Sequence, residues 1–482
     1  QEVEQMNLFK DMVCYQEEVR DPSRMAEVLN RVIEKAFRGS APAQINVPRD
    51  YWTQVIDIEL PPIVRFERQG GGKEAIENAA KLLSKAKFPV ILSGAGVVLG
   101  GAIDECKKLA EKLDAPVCNG YQHNDSFPGS HPLAVGPLGY NGSKAAMELI
   151  SKADVVLALG TRLNPFSTLP GYGIDYWPKK ATIIQVDMNP DRIGLTKKVS
   201  VGICGDAKQV AQQILDKLSS DAGNTGREER KNLIHKTKSA WLQTLSGLDH
   251  EEDDPGTVWN KEARERDKDR MSPRQAWRAI QDALPQDAII SSDIGNNCAI
   301  GNAYPTFEKP RKYLAPGLFG PCGYGFPAIL GAKIGCPDTP VVGFAGDGAF
   351  GISMNEMSSC AREEWPAITM VIFRNYQWGA EKRNSILWFD DNFVGTELDP
   401  ELSYAKVANA CGLKGVSVKT MEETTKAIKE SCEDQKKGIT TFIEVILNQE
   451  LGEPFRRDAM KKPVEVAGIN KGDMKPQKSL IN

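Results

Sequence analysis

At 482 residues the chain exceeds what a single hydrophobic core ordinarily serves, so two or three domains are expected. Hydrophobic residues at 41% and charged residues at 26% match a globular enzyme, and a net charge of −4 gives no electrostatic case for nucleic acid or an anionic membrane surface. No stretch approaches the roughly twenty apolar residues of a membrane span, and the ten cysteines are scattered without a CxxC pair, which reads as reduced cytoplasmic thiols filling cores.

The opening, QEVEQMNLFKDMVCYQEE, has neither an initiator Met nor the charged-then-apolar order of a signal peptide. It reads as the middle of a domain, so an N-terminal portion is expected upstream of Gln1. Within residues 1–65 a helix is predicted from Pro22 to Arg38, with apolar residues at Met25, Val28, Leu29, Val32, Ile33 and Phe37; proline opens it and Gly39 closes it. A short apolar strand, Ala43 to Val47, follows and runs into Pro48-Arg49-Asp50. Pro61-Pro62 through Gly70-Gly71-Gly72 is a linker by composition.

Residues 73–220 alternate between periodic and continuous apolar segments. Strands are predicted at Val90 to Leu92, Ala115 to Cys118, Val155 to Leu159 and Ile183 to Val186. Helices are predicted at Ala75 to Ala86, Ala102 to Leu113, Ser143 to Ser151 and Ala207 to Leu218. That alternation indicates a parallel α/β sheet of Rossmann-like form. Gly94, Gly96 and Gly100 make a poor dinucleotide fingerprint, with no acidic residue clearly placed for a ribose, and read as a glycine-rich loop that binds no dinucleotide. The long segment Asn119 to Gly142 reads as a loop; its His123 and His131 are either surface histidines, the simpler reading, or groups approaching an active site.

Residues 221–271 carry blocks of mixed charge, read as a connector with a solvated helical face. The domain at 272–448 begins with a helix, Pro273 to Leu284, and a strand, Ala288 to Ile290, that ends in Asp293-Ile294-Gly295-Asn296-Asn297. After the turn FGPCGYGFPA (Phe319 to Ala328) comes a strand from Val341 to Ala345 ending in Gly346-Asp347-Gly348. A helix, then a strand from Ile368 to Phe373 ending at Asn375, follow. Helix Met421 to Asp434 and strand Thr441 to Leu447 complete the sheet, and residues 449–482 form a polar, lysine-bearing tail.

The unit from Val341 to Asn375 is a βαβ whose two strand tips carry a carboxylate flanked by glycines and a carboxamide. Ligands of α/β folds bind at such tips. If the strands are neighbours, the two oxygens converge on one hard cation, and Mg2+ completes such a set with waters and phosphate oxygens. The glycine-rich tips at Gly295 and Gly320 to Gly325 let backbone N–H groups approach a phosphate.

Strand, GDG, helix, strand and Asn in this order resemble the cofactor-anchoring motif of thiamine-diphosphate enzymes of the acetohydroxyacid synthase-like superfamily. The usual double Asn reads Arg374-Asn375 here. The resemblance spans nearly the whole chain and implies consecutive parallel-sheet α/β domains, the first incomplete. It implies that Asp347, Asn375 and the backbone carbonyl of Gln377 hold Mg2+. It further implies that Gly295, Asn296, Asn297, Gly346, Gly348 and Ala349 line the diphosphate, and that Gly320 belongs to a turn under the thiazolium. Cys322 stands either where relatives place the apolar wedge that bends the cofactor or as a buried packing thiol.

Within this family the run RNYQWGAEKRNSILWFDDNFVGTEL and the ending EPFRRDAMKKPVEV resemble the branch that converts sulfoacetaldehyde and inorganic phosphate into acetyl phosphate and sulfite. Both substrates are anions, so cations are expected near the thiazolium. Arg374, Lys382 and Arg383 are the candidates, with structural ion pairs as the plainer explanation. The glutamate that activates the cofactor comes, in the family, from the first domain, upstream of Gln1; Glu356 does not match it, and no catalytic acid or base is assigned. These 482 residues alone are therefore expected to be nearly inactive. The resemblance also implies a homodimer or homotetramer that shares its cofactor sites between subunits. A pyruvate-using carboligase of the same superfamily, a nucleotide-binding regulatory module and a noncatalytic paralogue stay open as alternatives.

Overall fold

The computed structural model describes residues 2–62, 67–247, 267–317, 319–388 and 392–450. The chain divides into two compact units, Gln1–Arg68 and Gln69–Asn482. In the first, helices α1 (Gln5–Phe9) and α2 (Met25–Gly39) accompany a parallel strand pair, β1 (Tyr15–Glu18) and β2 (Ala43–Asn46). Helix α2 begins later than its proline suggests. Pro22–Arg24 is a 3-10 turn capped by the Asp21 carboxylate, which accepts from the Ser23 N–H. Val28 and Val32 are buried with Val19, whereas Leu29, Ile33 and Phe37 stay exposed within this unit.

The second unit holds two six-stranded sheets, both parallel throughout. The first comprises β3 (Pro89–Ser93), β4 (Val117–Asn119), β5 (Ala134–Pro137), β6 (Val155–Leu159), β7 (Thr182–Asp187) and β8 (Val201–Cys204), in the order β5-β4-β3-β6-β7-β8. Helices α3 (Lys73–Lys85), α4 (Ala95–Gly100), α5 (Ile103–Leu113), α6 (Lys144–Ile150) and α7 (Ala207–Lys217) cover it. The four expected strands are present. The two unexpected ones are edge strands: β5 interrupts the presumed loop after Asn119, and its Ala-Val-Gly-Pro sequence carries no β pattern.

This strand order reverses between β3 and β6, where a doubly wound sheet ordinarily opens a ligand crevice. Here the chain itself fills the crevice. A Cβ on Gly94 would lie 2.6 Å from the Gly160 carbonyl oxygen, and one on Gly96 would lie 2.7 Å from the Gly160 Cα. Those glycines are therefore needed for the turn after β3 to pack on the turn after β6. His123 and His131 are not surface histidines: both are partly buried. His131 packs edge-on against Phe127 and lies 3.3 Å from Glu111.

The charged connector also departs from a solvated helix. Helix α8 (Arg227–Gly247) buries Ile234 and Trp241. Its Arg230, 1% exposed, donates to the main-chain carbonyls of Lys87, Leu113, Asp114, Gly223 and Thr225. Burial lowers the pKa of its guanidinium. The acidic and basic blocks between 248 and 266 lie outside the described residues.

The second sheet comprises β9 (Ile289–Ser292), β10 (Tyr313–Leu314), β11 (Val341–Gly346), β12 (Thr369–Arg374), β13 (Lys414–Val418) and β14 (Thr441–Ile446), in the order β10-β9-β11-β12-β14-β13. Its helices are α9 (Pro273–Ala283), α10 (Asn296–Ile300), α11 (Gly325–Gly335), α12 (Asp347–Ser353), α13 (Met357–Cys360), α14 (Gly379–Trp388), α15 (Tyr404–Ala410) and α16 (Met421–Gln435). Helix α9 starts at its proline with a Ser272–Gln275 capping box. It buries Trp277 against Phe344 and Phe373 under the strand tips. Gln449 and Glu450, read as the start of the polar tail, are buried, and Glu450 pairs with buried Arg274 at 2.8 Å. Residues 451–482 lie outside the described residues.

Candidate cofactor site

The second sheet reverses direction between β9 and β11, and there the crevice is open to chemistry. The tips of β9, β11 and β12 stand side by side, with Phe344 opposite Ser292 and Gly346 opposite Phe373. The Asp293 N–H donates to the Phe344 carbonyl at 2.8 Å, which fixes the DIGNN turn beside GDG. Trp277 donates from Nε1 to the Asn297 carbonyl at 2.6 Å and so anchors α10 from below.

Asp293, which sequence reasoning passed over, ties in the third element. One of its oxygens accepts from the N–H groups of Ile294 and Gly323, and the other accepts from that of Gly325. Burial raises its pKa against those bonds. The FGPCGYG turn is thereby held against the β9 tip, with Cys322 Sγ 3.9 Å from the Ile294 carbonyl. Gly320 and Gly323 take positive φ, at 70° and 87°, in this turn.

Asp347 is 1% exposed and Asn375 2% exposed, on adjacent strand tips as the sequence led us to expect. The Asp347 carboxylate accepts from the Gly348 N–H at 3.0 Å and from the Tyr376 N–H at 2.6 Å. Burial pushes its pKa up to about 6, against the pull of Arg374. Tyr376 sits at φ 62°, a left-handed conformation costly for a bulky residue. That kink turns the chain straight after Asn375 and aims the Tyr376 N–H back at Asp347; no pattern in the sequence announces it. Bonds between Trp378 N–H and Thr396, and between Leu398 N–H and Tyr376, hold the Gln377 backbone, while the Gln377 side chain donates to the Gln449 carbonyl.

Arg374 is not an available anion binder. It is fully buried, its Nη1 lies 3.0 Å from Asp347, its Nε lies 3.8 Å from Glu444, and it donates to the Asp399 and Leu402 carbonyls. Lys382 is engaged with Glu397 and with Gln449 Oε1. Arg383 alone of the three lines a cavity of about 280 Å3 above Gly295, Asn296 and Gly320. Glu356 accepts from the Ser359 hydroxyl, in keeping with a structural role.

The chemistry of these tips suits a metal–diphosphate group. Asn375 Oδ1, Asn297 Oδ1 and Asn296 Nδ2 are buried without a hydrogen-bonding partner in the protein, a deficit that a ligand would remove. Among the described residues no three His, Cys, Asp or Glu side chains gather around a common point. One carboxylate and one amide oxygen are a set that Mg2+ accepts when phosphate and water supply the rest. Gly295, at φ 138°, has open space where a Cβ would project, and Gly346 has only Asn297 Nδ2 at 4.0 Å. Gly348 differs: its absent Cβ makes room for the Trp378 ring, 2.8 Å from where that Cβ would stand. Ala349 is buried in the first turn of α12.

Two all-parallel sheets, the second with buried amides and a carboxylate at its strand tips, are what the resemblance to thiamine-diphosphate enzymes implies. Family models agree: "Thiamine pyrophosphate enzyme, central domain" matches residues 76–214, and "Thiamine pyrophosphate enzyme, C-terminal TPP binding domain" matches residues 293–445. The fold is similar to that of a benzoylformate decarboxylase from Polynucleobacter necessarius, at a TM-score of 0.74 and 21% identity over 94% of this chain and 79% of that one.

Among curated relatives, a probable sulfoacetaldehyde acetyltransferase of Rhizobium meliloti is 77% identical over 100% of this chain and 81% of its own length. The sulfoacetaldehyde acetyltransferase of Roseovarius nubinhibens is 76% identical over 99% of this chain and 79% of its own. A probable acetolactate synthase large subunit of Methanocaldococcus jannaschii is 28% identical over 89% of this chain and 71% of its own. The chain belongs to the sulfoacetaldehyde acetyltransferase family of thiamine-diphosphate enzymes.

Proposed function

We propose that this acyltransferase converts sulfoacetaldehyde and inorganic phosphate into acetyl phosphate and sulfite, using thiamine diphosphate held through Mg2+. The pairing of unpartnered Asn375 Oδ1 with buried Asp347 at neighbouring strand tips carries this reading. The kinship to sulfoacetaldehyde acetyltransferases narrows it to this substrate.

When bound, the cofactor supplies a thiazolium carbon that activates an aldehyde and holds the resulting charge. The chain's own groups do the positioning. Asp347, Asn375 and the Gln377 carbonyl would hold the metal, and Tyr376, at φ 62°, turns the chain between the last two. Gly295, Asn296, Asn297 and Gly346 receive the diphosphate, with Gly348 and Ala349 shaping the cradle from behind. Gly320 and Cys322 lie on the turn that Asp293 fastens to the β9 tip, the turn that would meet the thiazolium. We further infer a homodimer or homotetramer, the arrangement implied by the resemblance to enzymes that share cofactor sites between subunits. A cytoplasmic location accords with ten free thiols; among the described residues no helix is long and apolar enough to cross a membrane.

Product analysis tests the reading. The full-length enzyme with thiamine diphosphate and Mg2+ is expected to release sulfite and form acetyl phosphate from sulfoacetaldehyde and phosphate in equal amounts. Acetolactate from pyruvate, with no sulfite from sulfoacetaldehyde, would overturn it.

A further inference from the structure

Tyr376 stands between Asn375 and Gln377 at φ 62°, a conformation that a bulky residue keeps only where its surroundings impose it. Nearby groups supply part of that support. The Tyr376 N–H donates to Asp347 at 2.6 Å, the Tyr376 carbonyl accepts from the Leu398 N–H at 2.9 Å, and Gln377 forms an antiparallel bridge with Glu397. Further support comes from a segment remote in sequence, the last residues of the connector that precedes α9.

There Asp267, 1% exposed, engages two groups far apart in the chain. Its Oδ1 lies 2.8 Å from Arg270 Nη1, and its Oδ2 accepts from the Gln449 N–H at 3.1 Å. The Asn448 N–H donates to the Met271 carbonyl at 2.9 Å, so the end of the connector runs beside the exit from β14. Two contacts reach the metal turn from this junction. The Arg270 guanidinium lies over the Tyr376 ring, 4.8 Å from its centroid, and Gln377 Nε2 donates to the Gln449 carbonyl at 3.0 Å.

The Arg270 side chain is 28% exposed, yet a fully buried carboxylate holds it against this ring. Arg374 lies over the same ring, 4.2 Å from the centroid, and is itself held by Asp347. Two cations gather at one aromatic ring because each brings its own carboxylate, and the electron-rich face of the ring attracts both. We propose that Arg270 is a positioning residue for metal binding: fixed by Asp267, it holds the Tyr376 ring, and so keeps the left-handed turn between Asn375 and the Gln377 carbonyl in place before the metal arrives. This role rests on the reading of Asp347, Asn375 and the Gln377 carbonyl as metal ligands. Without Arg270 the metal-free turn relaxes, and the apparent metal affinity falls with the fraction of molecules that stay competent.

The test measures Mn2+, in place of Mg2+, binding to the full-length enzyme in saturating thiamine diphosphate, with the free ion read by its electron paramagnetic resonance signal. Arg270→Gln is expected to weaken Mn2+ binding about 3- to 30-fold, the range of a partly shielded cation–π contact. Arg270→Lys, which keeps a cation but not the plane, should fall between, and it replaces Arg270→Gln if that variant does not fold. Tyr376→Gly separates positioning from general stability, because glycine takes positive φ freely and offers no ring. Adding Arg270→Gln to Tyr376→Gly should therefore change Mn2+ affinity by less than twofold. Equal losses with and without Tyr376, or an Arg270→Gln affinity within twofold of the parent, overturn the proposal. Asp347→Asn checks the reading beneath it. If that variant binds Mn2+ as the parent does, the ligand assignment fails and the positioning role with it; if it loses the metal while Arg270→Gln does not, the positioning role alone fails.

Discussion

Arg374→Met is the sharpest probe of the metal clamp. The guanidinium lies 3.0 Å from Asp347 and 3.8 Å from Glu444, and all three side chains are essentially buried. Without it, two buried carboxylates share no countercharge, and the Asp399 and Leu402 carbonyls lose a donor. Removing one partner of a buried ion pair costs about 3–5 kcal/mol. For a domain of this size that corresponds to a fall of roughly 6–20 °C in the melting transition. Scanning calorimetry at pH near 8, in excess EDTA, reads the cost, because Asp347 of the parent, lifted to about 6 by burial against the pull of Arg374, is then ionised, while the variant's Asp347 loses that pull and moves higher still. Adding thiamine diphosphate and Mg2+ should return part of it, since a dication on Asp347 takes over the lost countercharge. The Mg2+-induced upshift is therefore expected to be larger in the variant than in the parent. An unchanged transition in EDTA, or identical metal shifts in both proteins, would refute Asp347 as the metal ligand that Arg374 balances.

His123 gives the first sheet a pH signature. Burial, then the nearby Arg162, pushes its pKa down to about 4 from an ordinary 6.5. The unfolded chain therefore takes up the proton first. Stability is complete above about pH 6.5 and declines towards pH 4, by at most about 3 kcal/mol. His123→Gln should flatten that part of the urea-midpoint profile; an unaltered slope sinks the assignment. Gly94→Ala, which sets a Cβ 2.6 Å from the Gly160 carbonyl oxygen, is expected to cost about 1–3 kcal/mol of stability. Its cofactor affinity should match the parent's, and a selective loss of that affinity would show that the filled crevice serves the site after all.

Much of this was legible in the sequence because parallel strands buried on both faces leave continuous apolar runs. Val155 to Leu159 and Ile368 to Phe373 are of that kind, and Asp347 and Asn375 could be placed by counting from their ends. A four-residue edge strand such as Ala134–Pro137, though mostly buried, is too short and ends in Gly-Pro, so it leaves no pattern. The left-handed Tyr376 and the role of Asp293 were invisible because each depends on groups far along the chain: Tyr376 on Asp347, and Asp293 on Gly323 and Gly325. The same cause misplaced Arg374. A cation just past a strand tip looks available for substrate until folding sets two carboxylates beside it.

Arg230 bears on how this protein tolerates change. Helix α8 is fastened to the first sheet's layer by one side chain reading five peptide carbonyls, at Lys87, Leu113, Asp114, Gly223 and Thr225. Every amino acid carries such a carbonyl. Substitutions at Lys87, Leu113 and Thr225 should therefore leave these bonds intact so long as the backbone path holds, whereas Gly223, at φ 82° with Lys112 O 2.6 Å from where a Cβ would stand, and Asp114, which pairs with Arg227, carry requirements of their own. The fastening concentrates much of its sequence requirement at one codon, within a stretch whose charge pattern suggests a surface free to drift.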